Sequence, residues 1–245
     1  MNSKIILLLL ILSTFILSLN SYGTNVQQIS HYSTDIQIKN GNTLEVSKTI
    51  SLKNIHIKGL IPGEVRFNVG NEFLILDENS IQVKDIYENI IDFEVIINDN
   101  NNQIIVLNIE YPVLPEFIYT FYLNYNLDFR SRGIFFKTLE IPNILSTIDV
   151  DKGDFSITIP PTHSITYVYP RGNMTTITDS TLKINLNNPK IETIYLEYSI
   201  IPLPMTPIRG TIIFWSFIYI IIFLIMVRLI RKEVKKFYAQ QEYKN

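Results

Sequence analysis

The sequence predicts an all-β ectodomain followed by one C-terminal transmembrane α-helix, and three observations carry that prediction. Apolar and polar residues alternate at period 2 through much of residues 24 to 201, with turn signals every 8 to 12 positions. Residues 210 to 227 contain no charged side chain and are rich in Ile and Phe. The composition, 47% hydrophobic and 18% charged over 245 residues, is too apolar for a disordered chain.

The elements follow in chain order. Met1-Asn2-Ser3-Lys4 leads into an apolar-rich run from Ile5 to Leu19, and Ser21 and Gly23 stand at the −3 and −1 positions of a cleavage site. Residues 1–23 therefore read as a signal peptide cleaved after Gly23. An uncleaved anchor is the alternative; fifteen helical residues rise about 22 Å against a bilayer core of about 30 Å.

Strands come next. Thr34 to Lys39 runs into Asn40-Gly41 and continues from Asn42 through Leu44, Val46, Ile50 and Leu52. Asn-Gly predicts a two-residue type I′ hairpin, because both central residues need positive φ. Phe93, Val95 and Ile97, the polar cluster Asp99 to Asn102, then Ile105, Leu107, Ile109 and Tyr111 predict a second hairpin. A third block alternates Phe117, Tyr119, Phe121, Leu123, Tyr125 and Leu127, turns near Arg130 to Gly133 and returns through Ile134, Phe135, Phe136 and Leu139. Further strands are predicted around Ile157, Tyr167, Ile184 and Leu196. This spacing is that of a β-sandwich, read as two Ig-like sandwiches at 24–126 and 127–201, with one large sandwich as the alternative.

Pro202, Pro204 and Pro207 stiffen residues 202–209 into a stalk. The span, 210–227, gives about 27 Å of helix and extends through Leu229 and Ile230 if Arg228 snorkels. Trp215 and Tyr219 sit toward its outer half, as interfacial aromatics do. The tail, 228–245, carries Arg228, Arg231, Lys232, Lys235, Lys236 and Lys244 against Glu233 and Glu242. By the positive-inside rule the C-terminus is cytoplasmic, and the signal peptide independently places the ectodomain outside the plasma membrane. Residues 24 to 227 hold 14 basic and 21 acidic side chains, so the near-balanced total of −2 hides an acidic exterior and a basic tail. That balance argues against nucleic acid as a partner. Ile230, Val234 and Phe237 make the tail a basic amphipathic helix, for which anionic lipid is the expected contact.

No residue constellation declares a chemistry. Zero Cys removes thiol nucleophiles, disulfides and Cys-ligated metals. His31, His56 and His163 are scattered, and no nucleophile elbow, P-loop or dinucleotide glycine pattern is present. Asp149, Asp151 and Asp154 resemble a calcium loop, but Pro160 stands where an EF-hand needs Glu, so they read as a solvated turn. No catalytic, cofactor or metal residue is assigned. Asn173-Met174-Thr175 is a formal glycosylation acceptor in a loop-like context. Phe117, Tyr119, Phe121 and Tyr125 suit a carbohydrate-binding face but fit core packing better.

His31-Tyr32-Ser33-Thr34-Asp35-Ile36-Gln37-Ile38 followed by Asn42 to Ile50 resembles the start of the YciQ-like membrane proteins and similar archaeal surface proteins. Lys48 stands where that family usually has Glu, and its Gly-Ile-Tyr-Arg segment is missing, with Arg132-Gly133-Ile134-Phe135 similar to it far downstream. The order of signal, β-rich ectodomain and anchor is also similar to a reduced ribophorin I layout. The resemblance implies a cell-envelope protein. The expected function is that of a non-enzymatic type I single-pass protein whose ectodomain binds or scaffolds a cell-envelope or extracellular component, through a protein partner not identified by sequence. The alternative is an accessory subunit of a membrane complex for glycan transfer or secretion.

Overall fold

A computed structural model describes residues 27–39, 42–98, 101–129, 133, 135–142, 150–169, 173–178, 180–187 and 193–242. The expected signal segment, Asn40-Gly41, Arg130 to Arg132, Ile134 and Asp149 lie outside the described residues. The strands are β1 (Gln27–Ile38), β2 (Thr43–Asn54), β3 (Gly63–Gly70), β4 (Leu74–Asp85), β5 (Phe93–Ile97), β6 (Gln103–Ile109), β7 (Ile118–Phe129), β8 (Phe136–Pro142), β9 (Lys152–Thr158), β10 (Ser164–Tyr169), β11 (Asn173–Thr178), β12 (Thr181–Asn187) and β13 (Thr193–Ser199). One helix, α1 (Gly210–Glu242), follows them. The chain is thus mostly β-strand, in mixed sheets, with one C-terminal apolar helix.

Seven strands form the large sheet in the order β11-β12-β9-β1-β2-β7-β4; β10-β13-β8 and β3-β6-β5 form two three-stranded sheets. The period-2 pattern sets which side chains enter the core. On β2, Leu44, Val46, Ile50 and Leu52 are buried; on β7, Phe121, Leu123, Tyr125 and Leu127 are. They belong to one hydrophobic cluster with Val65 and Phe67 of β3, Ile105 and Leu107 of β6, and Leu196 and Tyr198 of β13. Phe121, Tyr125 and the partly buried Tyr119 are therefore core residues, and Phe117 is exposed. A bulge between Ile29 and His31 resets the alternation on β1, so Ile29 and Tyr32 both point inward.

Lys39 N–H donates to Thr43 O at 3.0 Å beside the β1–β2 pairing, and the expected turn residues Asn40-Gly41 lie outside the described residues. The β5–β6 hairpin forms around Asn98 to Asn102 as expected, with Asn101 at φ 56°. β7 does not fold back on β8: it pairs with β2 and β4, and β8 crosses to pair with β13. The boundary expected between residues 126 and 127 falls inside β7. Beyond it, β9 returns alongside β1 in parallel, Tyr32↔Gly153 to Gln37↔Thr158, so both halves of the chain share the large sheet.

Pairing registers place the turns after β1, β5, β9 and β11 at one end of the domain. Helix α1 leaves from that end. Gly210 sits beside Thr166, Phe136 and Glu197, and one turn on, the Phe214 ring lies 5.5 Å from that of Phe136 and 5.9 Å from that of Phe135. The Pro-rich segment before it packs on the sheet: Thr206 N–H donates to Thr166 O at 3.1 Å and Met205 joins the core.

Candidate functional site

At the end opposite α1, the β2–β3, β4–β5 and β6–β7 connections gather around two buried polar side chains. Asn54 Nδ2 donates to Lys58 O (2.8 Å) and Val113 O (2.7 Å), and its backbone exchanges bonds with Glu116 N–H and Phe117 O. Asp85 accepts from Tyr87 N–H, Asn89 N–H and Asn89 Nδ2 at 2.8 to 2.9 Å. Burial alone would raise the Asp85 carboxyl, but the bonds from Asn89 and Tyr87 outweigh it and hold the group below its ordinary range. These networks fix the loops without help from their apolar side chains. Ile57 (85% exposed), Ile86, Tyr87, Ile90, Leu114 and Phe117 point to solvent instead. Six large apolar side chains are thus exposed together on loops held by buried hydrogen bonds.

A second site is the junction of α1 with the β10-β13-β8 sheet. Glu197, 1% exposed, accepts from Thr166 Oγ1 (2.7 Å), Thr211 N–H (3.3 Å) and Thr211 Oγ1 (2.5 Å). A carboxylate is thereby held against the helix N-terminus, where unpaired N–H groups and the helix dipole favour negative charge. Arg209 lies over the Tyr167 ring at 5.8 Å.

The third is Lys48, which points inward from β2 and is 4% exposed. Its ammonium faces the rings of Tyr32 (5.7 Å) and Tyr125 (5.4 Å), and among the described residues no carboxylate pairs with it. Burial lowers the amine to about 7 and raises both tyrosines. The adjoining cavity, about 10 Å³ measured to a water's centre, lies between the large sheet and the seam where Val69 of β3 meets Ile141 of β8. It has room for about one water and no ligand.

The sequence-predicted residues are dispersed. Asn173 opens β11, an edge strand, rather than lying in a loop. Arg228, Arg231, Lys232, Lys235 and Lys236 are exposed on α1, which continues unbroken past the expected span end at Val227 to Glu242; Lys236 pairs with Glu233 at 2.7 Å. Asp154 faces His31 at 3.6 Å, and the described residues contain no group of three or more His, Asp or Glu that could hold a metal. Sequence reasoning missed Glu197 and Lys48. Lys48 had a signal, being the one charged residue at an inward position of Leu44-x-Val46-x-Lys48-x-Ile50-x-Leu52.

A chain of mixed β-sheets, with a hydrogen-bonded apolar end and a helix long and apolar enough to cross a membrane (Gly210–Lys236, mean hydropathy 2.6), is what these sites define. It belongs to the family of the uncharacterised protein MJ1395 of Methanocaldococcus jannaschii, to which it is 34% identical over 108 residues, covering 44% of this chain and 73% of that protein. No family model matches. Solved structures with a partial resemblance include an M1 zinc metallopeptidase from Deinococcus radiodurans (TM-score 0.42, 10% identity, 72% of this chain and 43% of that one). Native leukotriene A4 hydrolase from Saccharomyces cerevisiae is another (TM-score 0.43, 10% identity, 70% and 29%). The chain spans less than half the length of either.

Proposed function

We propose that the chain is a non-enzymatic type I single-pass protein of the plasma membrane, with its β-sandwich ectodomain outside and its C-terminus in the cytoplasm, and that the ectodomain binds a cell-envelope or extracellular component. The observation that carries this reading is the set of exposed apolar side chains on hydrogen-bonded loops at the end away from α1. Replacing Ile57, Tyr87 and Phe117 together by Asp should leave the melting curve within a few degrees of wild type, since none is in the core. Retention of the full chain on a detergent-washed envelope fraction should fall at least tenfold; equal retention would discard the reading.

The orientation has its own test. Protease added to intact cells should remove the β-domain and leave a fragment containing α1, whereas resistance until permeabilisation would reverse the topology. The basic end of α1 is assigned to anionic lipid. Changing Arg231, Lys232, Lys235 and Lys236 to Glu should abolish salt-sensitive binding of a tail peptide to anionic vesicles, each cation contributing about 1 kcal/mol. Salt-independent binding to neutral vesicles would transfer the affinity to Ile230 and Val234.

A further inference from the structure

β5 is the outer strand of the β3-β6-β5 sheet, and the register shows which of its groups are left over. Pairing runs from Phe93↔Leu107 to Ile97↔Gln103, with Asn108 N–H donating to Asp92 O and Asn98 N–H to Asn102 O, both at 3.1 Å. Even-numbered residues therefore face β6 with their peptide groups. By the alternation of antiparallel ladders, the N–H and C=O groups of Phe93, Val95 and Ile97 point away from β6 along about 14 Å of open edge. Their side chains lie on the core side, opposite the buried Leu107 and Ile105, yet Phe93 is 38% and Ile97 60% exposed. Among the described residues the inner face is thus uncovered along this margin. Of the devices that blunt natural edges, Phe93-Glu94-Val95-Ile96-Ile97 has no Lys, Pro or bulge; its one charge is Glu94, which makes no ion pair among the described residues.

We propose that β5 is a strand-acceptor edge that takes an extended segment of another protein, with apolar side chains at alternate positions and basic ones between. The apolar row would meet Phe93, Val95 and Ile97, and the basic row Glu94 on the outer face. A second copy of this chain does not fit. A two-fold pair of β5 edges has to be antiparallel, which turns the second domain end for end. Because Glu197 and Phe214 fix α1 to the domain, the two helices would then leave at opposite ends and could not enter one membrane. That exclusion rests on the membrane anchorage proposed above.

The test uses the full chain in lipid nanodiscs and a labelled probe peptide, Lys-Val-Lys-Val-Lys-Val-Lys, read by fluorescence anisotropy. Saturable binding is expected. It should weaken at least tenfold for the same peptide N-methylated at its valines, for a block peptide of equal composition, and for Val95→Pro. Proline there deletes the central free donor while sparing the β5–β6 bonds, which Val95 does not make. If Val95→Pro melts early, Ile97→Lys replaces it, and the N-methylated peptide needs no variant. Absence of binding, equal binding of the N-methylated peptide, or pairing of discs by the chain alone would overturn the proposal. Failure of the cellular protease test would instead strike the membrane reading and leave the peptide result standing.

Discussion

Lys48→Met is expected to stabilise the protein by about 2 to 4 kcal/mol at pH 7, because it removes a buried amine that has no carboxylate partner among the described residues. In the unfolded chain the amine keeps its proton up to its ordinary value of 10.5; in the fold it loses it from about 7 upward. Between those values the unfolded state binds more protons. Wild-type stability should therefore rise with pH from 7 toward 10, by at most about 1.4 kcal/mol per pH unit, and fall back as pH drops through 7. The groups facing the amine are Tyr32 of β1 and Tyr125 of β7, while β3, β8 and β9 offer Val69, Ile141 and Phe155. Both phenols are raised by burial, so they oppose the trend only above pH 10, in wild type and variant alike. Urea unfolding of the full chain in detergent at pH 7, 8 and 9 checks the expectation. A slope that persists in Lys48→Met would assign the pH dependence to another group.

Local pattern made the strands legible where one face alone is buried. Leu44 to Leu52 and Phe121 to Leu127 alternate cleanly because both strands lie in the large sheet, whose one face packs on side chains of the two small sheets. β3, β4 and β11 escaped notice, since β4 carries the polar stretch Asp77 to Ser80 at its bulge and β11 reads Asn-Met-Thr-Thr-Ile-Thr. The parallel return of β9 beside β1 joins residues more than a hundred positions apart, and no local period encodes it. The candidate site was hidden for a related reason. Glu197 lies between Leu196 and Tyr198 on what the alternation marks as a solvent face, and only the arrival of the Pro-rich segment and α1 buries it. Phe117, read as the first residue of an alternating strand, is exposed, and at Ile57 and Tyr87 no local pattern separates an exposed apolar side chain from a core one.

Glu197→Ala should cost about 2 to 4 kcal/mol, because it removes the buried carboxylate that accepts from Thr211 N–H and Oγ1 and leaves the Thr166 hydroxyl only the residue 197 carbonyl. Glu197→Gln should cost about half as much: the amide still meets the threonine hydroxyls, and what is lost is chiefly the negative charge at the helix N-terminus. Gly210 supplies an independent probe of the same contact. A Cβ there would stand 2.9 Å from Thr166 Cβ, 3.0 Å from Phe136 Cε1 and 3.1 Å from Glu197 Oε1, so Gly210→Val must push the helix start off the sheet. Trp215, the chain's single tryptophan, lies beside Phe214 at this junction, and its emission reports the displacement directly. Glu197→Ala and Gly210→Val should both shift that emission and lower the melting temperature. The double variant should cost less than the sum of the two by about 1 kcal/mol, since the helix can leave the sheet only once. Strict additivity, with Trp215 emission unchanged in each variant, would mean that α1 is not held by this carboxylate.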